Sequence, residues 1–349
     1  MDGRAHELTR RQAHRFATDL LTAAQDAKQE SHTVAMGDQG LRLGTTRSDR
    51  FGQLVQGAFI AAPGSPATAR LTILRTSDLP LLPPADWARP WVNAAQEIPA
   101  TVAYPYRIFL DRVVGVVYVL DQRSRDGVVW IRSESELDLR SFITPFRTMM
   151  SWLANLQDAE VVHAAGVHVG GLGLAFSGAS GSGKSTLGMT LGMHDHEVIS
   201  DDCLWVQGDR MYAVYNRAKV DAHARTLLKI EDHHLLVLPP TPHAKGVVEL
   251  SKFTNFRLSA TLDTLAFPVI SSRPGWYPLA PRAALRMLSR DSLREIHGGR
   301  TRNHLRLAHL TASHPACRVL LANSPRANVE TIEEVVAERA ALASSTERE

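Results

Sequence analysis

Val161-Val-His-Ala-Ala-Gly-Val-His-Val-Gly-Gly-Leu-Gly-Leu-Ala-Phe-Ser177 runs straight into Gly178-Ala179-Ser180-Gly181-Ser182-Gly183-Lys184-Ser185, and the architecture of the chain turns on this passage. The second segment is a full GxxxxGK[ST] pattern, and its flanks supply the context such a loop requires. Leu172–Ser177 is a short apolar run that reads as a buried strand, and from Ser185 and Thr186 to Met193 apolar residues recur at helical spacing. Strand, glycine loop and helix N-terminus together form an anion site. Backbone N–H groups curl around phosphates, the positive end of the helix faces them, and glycines remove side chains that would block approach. A bound nucleotide is therefore expected over Gly178–Thr186, with Lys184 reaching the β- and γ-phosphates and the Ser185 hydroxyl holding Mg²⁺.

Immediately downstream, Glu197-Val-Ile-Ser-Asp201-Asp202 reads as an apolar strand ending in two acids. The interval from Lys184 accommodates one helix, a turn and a return strand, which puts both carboxylates at the C-terminal edge of that strand, beside the loop. One acid there can hold Mg²⁺, a role assigned to Asp201 with Ser185. The other can take the proton of an incoming hydroxyl, so both Asp201 and Asp202 are catalytic candidates. His163 lies on a strand before the loop strand; by its surroundings alone it is a core histidine or an active-site group. Lys219 and Lys245 are the basic residues best suited to the charge of a transferring phosphoryl group. Arg225, Arg217 and Lys252 are weaker candidates. His168, His194 and His196 show no functional spacing and are expected at the surface.

Outward from this centre, Glu160–His163 and Gly166–Val169 read as two short strands leading by tight turns into the loop strand. Towards the N-terminus, residues 8–27 form an amphipathic helix with Ala13, Phe16, Ala17, Leu20 and Ala24 on one face. A short helix is expected over Phe51–Ala62 and a strand over Ala69–Arg75. Residues 76–105, with Trp87 and Trp91, read as an ordered proline-rich loop. Tyr106–Leu110 and Val113–Leu120 pair as strands, and Asp126-Gly127 signals a turn into Val128–Ile131, giving a small β meander. Thr144-Pro145 reads as the N-cap and first residue of a helix to about Leu156, with Phe146, Met149, Met150 and Leu153 facing a core. Towards the C-terminus, Thr261–Ile270 and Cys317–Leu321 read as strands, and Pro281–Leu288 and His304–Leu310 as helices. Asn328 is expected to cap a last helix, beyond which Ala343–Glu349 frays.

The chain of 349 residues is long enough for one large or two medium domains. No apolar run reaches the ~18–20 residues of a membrane span, and the first residues lack the apolar segment of a secretory signal. Cys203 and Cys317, the only cysteines, lie far apart and suit neither a disulfide framework nor a zinc site, so a cytoplasmic setting is expected. A net charge of +3 with a pI of about 9.0 is modest for this length and is not read as a nucleic-acid footprint.

The order His163-Ala-Ala, then Gly178–Ser185, then Ser200-Asp201-Asp202 resembles the catalytic domain of HPr kinase/phosphorylase and its divergent relatives, among them the serine kinases of lasso-peptide and other peptide-modification pathways. The close match spans roughly residues 160–206. It implies a P-loop kinase domain of the HPr kinase and phosphoenolpyruvate carboxykinase type, an α/β fold with a mixed sheet over 158–349, preceded by a smaller α+β region over 1–157. It also implies ATP and Mg²⁺ as cofactors and a serine-type hydroxyl of a protein or peptide as acceptor. By position, one residue of the Asp201–Asp202 pair resembles the catalytic base and the other its metal-site partner, and His163 resembles the active-site histidine, beside the loop lysine Lys184. The family's habit of forming hexamers extends the expectation to a homo-oligomer, although no interface is legible. The LEIRGLG segment of true HPr kinases is absent; Asn216-Arg-Ala-Lys-Val-Asp-Ala-His223 stands in its place, so neither HPr as substrate nor the reverse phosphorylase reaction follows. The alternatives are a small-molecule kinase on the same fold and a nucleotide-gated P-loop ATPase.

Overall fold

The computed structural model describes residues 3–27, 29–46, 49–77, 97–98, 103–111, 114–137, 139–237, 244–295 and 300–346. Most of the proline-rich stretch, with Trp87 and Trp91, lies outside the described residues. The chain is mixed α/β and divides into two compact units, Met1–Gln157 and Asp158–Glu349. Among the described residues, no helix is long and apolar enough to cross a membrane.

In the first unit, helix α1 (Gly3–Asp26) precedes a hairpin of β1 (Glu30–Met36) and β2 (Gln39–Thr45), then α2 (Arg50–Gln56) and β3 (Ala67–Arg75). There follow β4 (Tyr106–Asp111), β5 (Val116–Asp121), β6 (Asp126–Ile131), α3 (Arg140–Ile143) and α4 (Arg147–Asn155). The strands form one six-stranded mixed sheet in the order β1-β2-β3-β6-β5-β4. Strand alternation puts Ile108, Leu110, Val117, Val119, Val128 and Trp130 on one face, where the apolar stripe of α1 covers them.

Several expectations shift here. The meander is the end of a larger sheet, because the polar-flanked hairpin β1–β2 also joins it. Asp126-Gly127 is not a turn but the start of β6; the turn falls just before it, at Arg125 with φ 61°. The helix from Phe51 stops at Gln56, and the following chain bonds back to β1 through Ala35 N–H to Ile60 O at 2.8 Å. Thr144-Pro145 does not open α4. It lies in the turn between α3 and α4, where Phe146 caps in a left-handed conformation and the Thr144 hydroxyl accepts from Arg147.

The second unit holds β7 (Ala159–Val162), β8 (Ala164–Val169), β9 (Leu172–Ser177), α5 (Lys184–Met193), β10 (Glu197–Ser200), β11 (Leu204–Gln207), β12 (Arg210–Ala213), β13 (Arg217–Val220) and α6 (Ala222–Leu227). After these come β14 (Gly246–Glu249), β15 (Asn255–Phe256), β16 (Ser259–Thr261), β17 (Thr264–Ile270), β18 (Gly275–Leu279), α7 (Pro281–Glu295), α8 (Arg300–Ser313), β19 (Ala316–Leu321) and α9 (Pro325–Thr346). A seven-stranded mixed sheet runs β15-β10-β8-β9-β17-β19-β18, a four-stranded antiparallel sheet runs β16-β12-β11-β7, and β13 pairs with β14 alone. The core of the large sheet joins Val167, Leu174, Phe176, Leu187, Leu191, Val319 and Ile332.

Pairing corrects the expected entrance to the loop strand. The hairpin is β8–β9, whereas β7 pairs with β11 in the other sheet, so the chain changes sheets at His163. Thr261–Ile270 likewise divides between β16 and β17, which belong to different sheets. Asn328 does not cap α9: its amide exchanges hydrogen bonds with Ala322 N–H at 2.8 Å and Ala322 O at 2.9 Å, closing the turn after β19. The helix continues to Thr346, through part of the segment expected to fray.

Candidate active site

Strand direction gathers the site. β17 runs parallel to β9 and β19 parallel to β17, while β10 and β9 both run antiparallel to the β8 between them. The C-terminal ends of β9, β10, β17 and β19 therefore share one sheet edge, the edge where ligands of open α/β sheets bind. Because β8 is reversed, its N-terminal end falls there too and brings His163 with it.

The loop leaves β9 at Gly178 and closes into α5 through Gly183, whose φ of 93° is left-handed and open to glycine without strain. Ser182 N–H donates to Ala179 O at 3.1 Å, and the Ser182 hydroxyl is buried without a hydrogen-bond partner. The Lys184 ammonium, buried, donates to Gly178 O at 2.5 Å and Ala179 O at 3.2 Å. Burial lowers the pKa of this lysine, and the charges of Asp202 and Asp201 oppose that shift.

Both acids follow β10 and both are buried. Lys219 on β13 ties them together: its N–H donates to Asp201 Oδ2 at 3.1 Å and its ammonium bonds Asp202 Oδ1 at 2.6 Å. His163 Nδ1 lies 3.3 Å from Asp202 Oδ1 and 3.1 Å from the Asp202 carbonyl oxygen. Asp201 neighbours the Ser185 hydroxyl, and its Oδ1 is buried with no partner at hydrogen-bonding geometry. Burial first, and the Asp202 charge second, push the Asp201 carboxyl above the ordinary carboxylate range.

A cavity of about 260 Å³ opens over these groups, lined by His163, Ser180, Gly181, the loop from Gly183 to Thr186, Lys219, Lys245, residues of α6 and the ends of β17 and β19; the expected loop residues Gly178, Ala179 and Ser182 are not in its lining. The expected residues His163, Ser180, Gly181, Gly183, Lys184, Ser185, Thr186, Lys219 and Lys245 line this one cavity, and Asp201 and Asp202 stand behind it against Lys219. Arg225 and Lys252 do not reach it: they form ion pairs with Asp232 and Glu249. Arg217 is buried within β13, and burial pushes its pKa down to about 10. His194 is exposed, as expected, with Nδ1 2.8 Å from Thr190 O, whereas His168 and His196 are half-buried and pair with Glu197 and Glu333.

No protein-family model matches the sequence, and no curated protein matches it. Among solved structures the chain is similar to the Hpr(Ser) kinase/phosphatase from Coxiella burnetii, at 11% identity and a TM-score of 0.30, over 54% of this chain and 97% of that one. At that score the fold rests on the strand order above.

The metal expected beside the loop can be tested against the residues present. Among the described residues no group of three His, Cys, Asp or Glu side chains stands at metal-holding distance. Mg²⁺ needs no such cage, because phosphates and water supply most of its ligands beside one or two protein oxygens. The Ser185 hydroxyl and the unpartnered Asp201 Oδ1 match that donor set.

The motifs did not disclose everything at the site. From α7, the Ser292 hydroxyl accepts the His163 N–H at 3.2 Å, while the Ser177 hydroxyl donates to His163 O at 3.1 Å, so the His163 backbone is clamped from both sides. Buried Asp291 adds a third negative charge that favours the charged form of Lys184. Neither α7 residue has a motif. Ile270 and Leu321 could have been found by noting that the predicted strands ending there run parallel to the loop strand.

Proposed function

We infer that this chain is an ATP-dependent kinase that transfers the γ-phosphate to a serine-type hydroxyl of a protein or peptide, related to the HPr kinase-like serine kinases. One observation carries the reading: a glycine-rich anion loop with its lysine lines a cavity at one sheet edge, and a further lysine in the same lining, Lys219, bridges two buried acids just behind it. The loop N–H groups and Lys184 hold the phosphates. Ser185 and Asp201 hold Mg²⁺, which when bound neutralises charge on the phosphate oxygens. Asp202, kept in place by Lys219 and His163, accepts the proton of the attacking hydroxyl, and Lys219, which lines the cavity, offers its charge to the transferring group.

Asp202→Asn should lower kcat by roughly 10²–10⁴-fold while MgATP affinity survives, since a general base contributes to the chemical step and not to nucleotide binding. Lys184→Ala should weaken both. Labelled ATP incubated with candidate serine peptides and the two variants, followed by mass spectrometry of the peptides, checks this. Undiminished transfer in both Asp202→Asn and Asp201→Asn would discard the acid assignment. The cavity's size also suits a hydroxylated metabolite, and phosphate appearing on small alcohols but on no peptide would favour that second reading.

A further inference from the structure

Of the lysines that line the cavity, Lys184 is bound to the loop carbonyls and Lys219 to Asp202, whereas Lys245 is engaged with neither. Lys245 is half-buried, and among the described residues it forms no hydrogen bond or ion pair. Asp221, the carboxylate in the same lining, is turned to its own helix: its Oδ1 accepts the Ala224 N–H at 2.8 Å. A half-buried ammonium without a partner has lost part of its hydration with nothing in exchange. An anion that enters the cavity beside it restores what burial removed.

Strand register sets how far that anion stands from the chemistry. Lys219 on β13 pairs with Val247 on β14, and Lys245 lies two residues before Val247, which puts the lysines at diagonal positions of the strand pair. Such diagonal neighbours are about 7–8 Å apart. Lys219 marks the place of the attacking hydroxyl, because its ammonium bonds the Asp202 carboxylate at 2.6 Å. In an extended peptide, side chains two residues apart share a face and are separated by about 6–7 Å, close to the same interval. We propose that Lys245 selects the acceptor by binding a carboxylate two residues from the target serine, so that the substrate is an acidic peptide held extended between Lys219 and Lys245. The proposal rests on the kinase reading above and adds to it the charge and the spacing of the segment acted on.

Peptides with a single serine, carrying Asp, Asn or Lys at the positions two before and two after it, test this. Their kcat/KM values are compared in the wild type, Lys245→Ala and Lys245→Glu, and MgADP binding to each protein is followed by calorimetry. In the wild type the Asp peptide should exceed its Asn twin about tenfold, the equivalent of one hydrogen bond to a charged group. Lys245→Ala should abolish that preference, and Lys245→Glu should turn it towards the Lys peptide. A wild type indifferent to the flanking charge overturns the proposal, as does a preference that survives in Lys245→Ala. Asp and Asn peptides slowed by one common factor, or MgADP binding lost in the variants, overturns it too, because Lys245 then serves the donor. In each of these cases the kinase reading stands. If the wild type binds MgADP and phosphorylates none of the peptides, the kinase reading itself fails and the acceptor assignment falls with it.

Discussion

Asp201 and Asp202 are neighbours in the chain with opposite surroundings. Lys219 and His163 hold the Asp202 carboxylate, whereas Asp201 keeps one buried oxygen without a partner. The raised pKa of Asp201 fixes the sign of a pH effect. A folded-state pKa above the unfolded value gives stability that is present below the ordinary carboxylate pKa of about 3.9 and lost as pH rises through the raised value. Asp201→Asn removes that ionisation. In nucleotide-free protein its Tm should therefore overtake that of the wild type increasingly as pH climbs through this window, while transfer is lost. Thermal melts at a series of pH values check it, and a Tm difference that stays constant with pH would contradict it. The trade fits a group kept for chemistry at a cost in stability. Cys317 is the reverse case. Burial pushes its thiol up to about 12, so in the native protein it should resist maleimide at neutral pH and react only after unfolding, as mass spectrometry of the labelled protein would show.

At the scale of elements, α7 reaches the site through Ser292, the acceptor for the His163 N–H. Ser292→Ala leaves that buried donor unsatisfied and should cost about 1–3 kcal/mol, read as a lower urea midpoint, with a fall in kcat because His163 no longer holds its place. The packing of β9 against the four-stranded sheet depends on close approach at Gly173, where an added Cβ would come within 1.8 Å of Thr261 O at the end of β16. Backbone cannot retreat as a flexible side chain can, so Gly173→Ala should destabilise by at least the ~1–3 kcal/mol of ordinary overpacking. These elements also show what a sequence discloses. The loop, its flanking strand and helix, and the acids after β10 were legible because each combines a residue pattern with a required neighbour. Ser292 and Asp291 were not, because a serine or an aspartate late in an amphipathic helix looks the same whether it faces water or a histidine N–H. The split of Thr261–Ile270 between two sheets was hidden for a related reason: an apolar run signals burial but not its pairing partner.

Over the whole molecule, each unit carries its own core, so residues 158–349 expressed alone should fold and retain MgATP binding, measurable by calorimetry. The large sheet of that unit is also guarded at both margins. On one side it stops at β15, two residues long, and on the other at β18, which contains Pro278. A strand that short and one interrupted by a missing N–H are poor templates for a neighbouring molecule to extend. Self-association by continuing this particular sheet is thus disfavoured by construction. Pro278→Val should restore a continuous hydrogen-bonding margin beside the exposed Tyr277 and raise the propensity to aggregate, as light scattering during gentle heating would register.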